Sequence, residues 1–232
     1  MSYAFIDSDS LTDIADEIRS KLQSTDSMTP AEMAQGVASI DTGGNVDYLA
    51  LLTLDSLITY ESSEVLTIGR NLFDAKRSLT RISVPNCTYI DQYAFNNCSG
   101  LLSINAPAVT SMSGGNVFAN CTSLTEAKFP LITTVIGSSC FSGCTSLETV
   151  DVGLTYRING NVFSGCTSLK NLIIRSTSKC GLQNVNAFNN CGTTIKVYVP
   201  SSLISSYQSD TTWSAVTGAT LSFQSLEGSV YA

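Results

Sequence analysis

Eight cysteines and nineteen carboxylates are the groups in this 232-residue chain that could do chemistry, and there is no histidine to work with them. Without histidine the commonest general base near neutral pH is missing, along with Ser-His nucleophile pairs and most zinc ligand sets. Five of the cysteines, Cys98, Cys121, Cys144, Cys166 and Cys191, recur at intervals of 22 to 25 residues. A thiol that returns once per structural unit reads as a small buried group packed between turns, since free cysteine is among the most buried residue types. Metal binding and disulfides are the alternatives. Cys87, Cys140 and Cys180 lie off this column, and one disulfide among them stays open. The densest carboxylates, Glu126, Glu148 and Asp151, read as solvated surface charges rather than a catalytic pair. No glycine-rich phosphate loop follows a strand, and Gly114-Gly115 reads as a turn. The expectation is a chain without catalytic residues, metal or cofactor.

The elements that place these groups are repeats. Phe73, Phe95, Phe118, Phe141, Phe163 and Phe188 share one frame. Three residues after each come Lys76, Cys98, Cys121, Cys144, Cys166 and Cys191, and six after come Leu79, Leu101, Leu124, Leu147, Leu169 and Thr194. Nine after come Ile82, Ile104, Ala127, Val150, Leu172 and Val197; eleven after come Val84, Ala106, Phe129, Val152, Ile174 and Val199. Pro85, Pro107, Pro130, Gly153, Arg175 and Pro200 follow directly. Apolar residues at nine and eleven around a polar one have the period of a short half-buried strand, and proline stops it. The threefold spacing of Phe, Cys and Leu suits a turn of helix or of 3₁₀. One such unit cannot bury its own apolar face, but stacked units share a core. The expected fold is therefore an α/β solenoid with one short parallel strand per repeat, over residues 57–200, closed by a cap at 201–232. The longest unit carries an insertion around Ser176–Gly181, expected to be a loop.

The strings Ala94-Phe95-Asn96-Asn97-Cys98-Ser99-Gly100-Leu101, Phe118-Ala119-Asn120-Cys121-Thr122-Ser123-Leu124 and Phe163-Ser164-Gly165-Cys166-Thr167-Ser168-Leu169 resemble the BspA-like class of leucine-rich repeats. Tyr198-Val199-Pro200 followed by Tyr207 and Trp213 is similar to the closing segment of that class. The resemblance implies a surface-exposed recognition or structural protein, of bacteria, of some parasites or of bacteriophage particles.

If function resides in the repeats, it belongs to the strand positions that face away from the core. These are Arg81, Ser103, Glu126, Thr149, Asn171 and Lys196 in one row, and Ser83, Asn105, Lys128, Asp151, Ile173 and Tyr198 in the other. Two such rows can hold a protein or glycan by many small polar contacts; an inert polar face is the alternative. Tyr207, Trp213 and Phe223 read as cap core in preference to a sugar-stacking site.

The N-terminal segment differs from the rest. Residues 1–41 carry a net charge of −6 and residues 42–232 one of −1. Leu11, Ile14, Ala15, Ile18 and Leu22 share a helix face. Thr29, Pro30 and Glu32 form a capping box, with Met33, Val37 and Ile40 continuing a second face. Residues 42–56 read as linker and N-cap. Two short helices are marginal alone, so Ile14, Ile18, Leu22, Met33, Val37 and Ile40 are expected to dock on other chains, as a homo-oligomer or on a larger assembly; capping the first repeat within one monomer is the alternative. Leu11–Arg19 together with Met28–Met33 resembles N-terminal segments of tail-associated phage proteins. That resemblance implies a virion protein whose partners are other virion proteins and whose repeats are displayed for host attachment. A bacterial cell-surface adhesin is the alternative. No basic stripe suits nucleic acid, and no apolar run is long enough for a membrane helix.

Overall fold

The computed structural model describes residues 59–112, 114–192 and 194–232. The expected helices with Ile14, Ile18, Leu22, Met33, Val37 and Ile40, and the linker at 42–56, lie outside the described residues.

Each turn of the solenoid gives a three-residue strand to a first row: β1 Thr59–Glu61, β3 Arg81–Ser83, β5 Ser103–Asn105, β6 Glu126–Lys128, β8 Thr149–Asp151 and β10 Asn171–Ile173. Two six-residue strands, β12 Thr194–Val199 and β13 Thr220–Ser225, extend the row, the second of them beyond residue 200. All pairs are parallel, and the register places Ile82 beside Ile104 and Val150 beside Leu172 beside Val197. The strands fall where the apolar alternation puts them, because a three-residue strand with one inward side chain is what that pattern can bury.

A second row was not read from the sequence. It consists of β2 Thr67–Ile68, β4 Tyr89–Ile90, β7 Val135–Ile136, β9 Arg157–Ile158 and β11 Gly181–Leu182, with Tyr89 also bridging to Ser111. Two-residue strands show no alternation. The available signal was the buried Ile68, Ile90, Met112, Ile136, Ile158 and Leu182, one of them five or six residues before each phenylalanine.

The return through Phe and Cys is built of successive turns. Cys98 N–H donates to Phe95 O at 3.2 Å, and Leu101 N–H donates to Cys98 O at 3.0 Å. The same pairs recur at Cys121, Cys144 and Cys166. A 3₁₀ segment forms only at Val185–Phe188 among these returns. The turns bond directly to their neighbours: Phe73 N–H reaches Ala94 O, Phe95 reaches Val117 O, Phe118 reaches Cys140 O and Phe141 reaches Val162 O, at 2.8–2.9 Å. Two residues further on, Asn97 N–H reaches Ala119 O, Asn120 reaches Ser142 O and Gly143 reaches Ser164 O, at 2.7–2.8 Å. To aim these groups along the axis, the backbone goes left-handed two residues before and two after the phenylalanine. Asn71, Asn97, Asn116, Asn120 and Asn161 have φ of 56–60° there, and Gly143 and Gly165 have 74° and 76°. Asparagine and glycine are the residues that tolerate this conformation. Ala75, Tyr93 and Ser139 hold it at 56–59° against their intrinsic preference.

The phenylalanines are fully buried in one stack. Ring centroids are 5.1 Å apart from Phe73 to Phe95 and from Phe95 to Phe118, then 5.5 Å to Phe141, 5.8 Å to Phe163 and 5.3 Å to Phe188. Tyr60 starts the stack and Trp213 ends it.

Both strand rows break between the same two turns. The first divides into β1-β3-β5 and β6-β8-β10-β12-β13, and the second into β2-β4 and β7-β9-β11. At this level Phe129 on the β6 side, its ring 5.7 Å from Phe118, occupies the site that Ala106 fills one turn earlier. A benzyl group beside a methyl does not let the two turns close evenly. Across the gap the phenylalanine turns remain bonded, and so do the residues of the second row, with Thr133 N–H on Thr110 O at 3.0 Å and Gly137 N–H on Met112 O at 3.3 Å.

Replacing Phe118 by Ala removes a ring with neighbours on both sides and should cost roughly 3–5 kcal/mol. Urea unfolding checks this; a variant with the parent's midpoint would show that the stack does not carry the fold.

Candidate recognition face

The structure brings all twelve outward-facing residues onto strands of the first row. Arg81 lies beside Ser103, and Ser83 beside Asn105. Glu126, Thr149, Asn171 and Lys196 run side by side, as do Lys128, Asp151, Ile173 and Tyr198. The rows are not equally open. Arg81, Asn105, Glu126 and Lys128 are exposed, with Ser83 and Ser103 half-buried between them. Thr149, Asp151 and Ile173 are only 9%, 4% and 1% exposed, which corrects the expectation that they form part of the open face.

The cause is local chemistry from other positions. Arg175 stands where most units have proline, and its Nε and Nη2 each reach Asp151 Oδ2 at 2.8 Å. Asp151 Oδ1 accepts from Gly153 N–H at 2.9 Å, and Thr149 Oγ1 accepts from Asn171 Nδ2 at 3.2 Å. Tyr231 packs edge-on against Tyr198, with ring centroids 4.8 Å apart. Asp151 is thus a structural anion. The other two carboxylates of the cluster are also engaged, Glu126 with Lys128 at 2.9 Å and Glu148 with Lys170 at 2.8 Å. Both of these pairs are exposed and add little to stability.

All eight cysteines are free and buried. Each column thiol donates to the carbonyl of the phenylalanine one repeat earlier: Cys98 to Phe73, Cys121 to Phe95, Cys144 to Phe118, Cys166 to Phe141 and Cys191 to Phe163, at 2.9–3.1 Å. Burial pushes Cys98, Cys140 and Cys180 up to about 12 and Cys191 to about 11, and raises the rest as well. These groups are thiols at neutral pH, and the thiolate is the nucleophile and metal ligand. Among the described residues, no group of three or more His, Cys, Asp or Glu is placed to hold a metal.

Two of the three cap aromatics belong to the core. Tyr207 and Trp213 are buried, and they clamp the backbone of one residue of the inserted loop from both sides: Cys180 N–H donates to Tyr207 Oη at 2.8 Å, and Trp213 Nε1 donates to Cys180 O at 3.0 Å. Phe223 packs 5.4 Å from Tyr207 and is half-buried; with Gln208, Val216 and Leu221 it lines a cleft of about 520 Å³. Helices α1 Ile204–Gln208 and α2 Thr211–Ser214 carry the two buried aromatics. Asp210 caps α2, accepting from Thr212 N–H at 2.8 Å and Trp213 N–H at 3.1 Å, and pairs with Lys179 of the loop.

Two outcomes follow from this chemistry. Thiol reagents should label the native chain slowly and label all eight cysteines after unfolding without reductant; unreactive cysteines in the unfolded chain would reveal disulfides. The bond from Lys179, assisted by the cap hydrogen bonds, holds the Asp210 carboxyl below its ordinary value. Its contribution is therefore complete above the unfolded pKa of about 4 and fades as pH falls through the lower folded value. Lys179→Met should melt below the parent at pH 7, and the gap should close in acid. A gap independent of pH would assign the effect to packing.

A family model described as BspA type leucine rich repeat region matches residues 66–192 and 153–211, with six copies. Among solved structures, a leucine-rich repeat protein from Bacteroides ovatus is similar, with 22% identity and a TM-score of 0.38 over 64% of this chain. The match covers 53% of that protein, so this chain spans about half its length. A search of curated proteins gave no match. The repeat frame, the stacked parallel strands and the family match over residues 66–211 lead to one assignment: this chain belongs to the BspA-type leucine-rich-repeat family.

Proposed function

We propose that the chain is a non-catalytic recognition scaffold at a bacterial cell surface, and that it holds a protein partner with the open part of its sheet face. The observation that carries this reading is the block formed by Arg81, Ser83, Ser103, Asn105, Glu126 and Lys128, outward-facing on consecutive strands while Thr149, Asp151 and Ile173 are covered. The block offers two cations, one carboxylate, hydroxyls and amides, a mixture suited to charge-complementary, hydrogen-bonded contact with protein. It contains no aromatic ring on which a sugar could stack, so protein is favoured over glycan. Family membership supports a scaffold role in place of catalysis and fits a surface location. The virion reading, with docking and homo-oligomerisation through residues 1–41, rests on a motif outside the described residues, and the comparisons add nothing to it.

The labelled chain is to be tested for binding to bacterial and host cells before and after protease or glycosidase treatment. Protease should abolish binding and glycosidase should not. Arg81→Glu combined with Lys128→Glu should weaken binding by about tenfold or more, while Arg157→Glu, on the other sheet, should leave it unchanged. Full binding by the double variant would remove the sheet face from the mechanism, and loss on glycosidase treatment would replace protein by glycan.

A further inference from the structure

An outward-facing side chain on a sheet is open to water unless something lies over it. Ile173 faces outward with Asp151 and Tyr198 as its row neighbours, and it is 1% exposed. Both of its row neighbours carry a further side chain. Arg175 lies across to Asp151, and the Tyr231 ring stands on Tyr198.

Tyr231 belongs to the residues that follow β13. A short set of bonds directs their path. Leu226 N–H donates to Val199 O at 2.8 Å, and Glu227 Oε2 accepts from Ser201 N–H and from Ser225 Oγ, each at 2.9 Å. Ser229 Oγ donates to Leu226 O at 2.6 Å and accepts from Tyr231 N–H at 3.2 Å. No strand pairing or buried apolar side chain anchors residues 226–232, and Val230, next to the covering ring, is 91% exposed. Bonds of Leu226 and Glu227 thus hold the start of this segment, and one turn and one aromatic contact hold its end on Tyr198, in the row that continues the open block.

We propose that residues 226–232 form a strap over the far end of the Asp151–Ile173–Tyr198 row, and that lifting it exposes Ile173 and Tyr198 as an apolar extension of the recognition block. The use of that extension rests on the reading of the sheet face as a recognition surface. The strap itself does not, and its test needs no partner.

Ile173→Cys places a reporter thiol under the strap, among native cysteines that are all buried. Labelling at position 173 by a water-soluble maleimide, located by peptide mass spectrometry, is to be compared in the otherwise intact chain, in a chain lacking residues 226–232 and in the full-length chain carrying Tyr231→Ala. Cooperative urea unfolding identifies the variants that remain folded. Labelling should be slow in the intact chain and about tenfold faster or more in the folded variants, as for release of a weakly held local element. Equal rates in the intact chain and in the folded variants would overturn the strap. If the truncated chain does not fold, the Tyr231→Ala rate decides alone. Failure of the Arg81 and Lys128 variants to alter binding would remove the recognition reading and leave this labelling result in force.

Discussion

The backbone ladder that joins each phenylalanine turn to the next is the contact on which the rest of the molecule depends. It runs on unbroken where the strand pairing of both rows lapses. From Phe73 to Phe163 each phenylalanine carbonyl in it serves twice, accepting the N–H three residues later in its own turn and the cysteine thiol of the following repeat. That double use explains the cysteine. The site is dry, close to a carbonyl with a free lone pair, and small, so it calls for a compact side chain with one weak donor. It also explains the asparagines and glycines, because N–H groups point along the axis at this spacing only if flanking residues adopt positive φ.

Much of this could be read from the residues in order, for a physical reason. A solenoid turns local pattern into tertiary structure, since the contact made by a position is with the same position one repeat away. Phe118, Cys121 and Ala127 therefore declare their partners by frame alone. What was not legible falls into two kinds. The second strand row contributes two residues per turn, too few for alternation, and shows only as an apolar position before each phenylalanine. The uneven openness of the sheet face depends on contacts outside the frame. Arg175 replaces a proline and reaches back to Asp151, and Tyr231 returns from beyond the last strand. No periodicity in Asp151 or Ile173 announces either.

The chemistry is quiet for related reasons. The carboxylates that cluster in sequence each hold a cation in space, and the thiols are raised by burial and committed to carbonyls. The cap follows the same economy: Tyr207, Trp213 and Asp210 spend their polar atoms on tying the inserted loop and α2 to the last turn. What the molecule offers outward is exposed polar surface, on β3, β5 and β6 above all.

The interruption between β5 and β6 lies inside that surface, and it gives the molecule a mechanical property. At this level the first row has no strand pairing, while the second row keeps backbone bonds from Thr133 N–H to Thr110 O and from Gly137 N–H to Met112 O, beside the phenylalanine ladder. The recognition face is thus the side that can open here, and the two bonded columns away from it hold the turns together. Opening there changes the spacing between Asn105 and Lys128, neighbours in one outward row that no strand pairing joins. The curvature presented to a partner is therefore set at one place, and tension along the axis would concentrate at the same level.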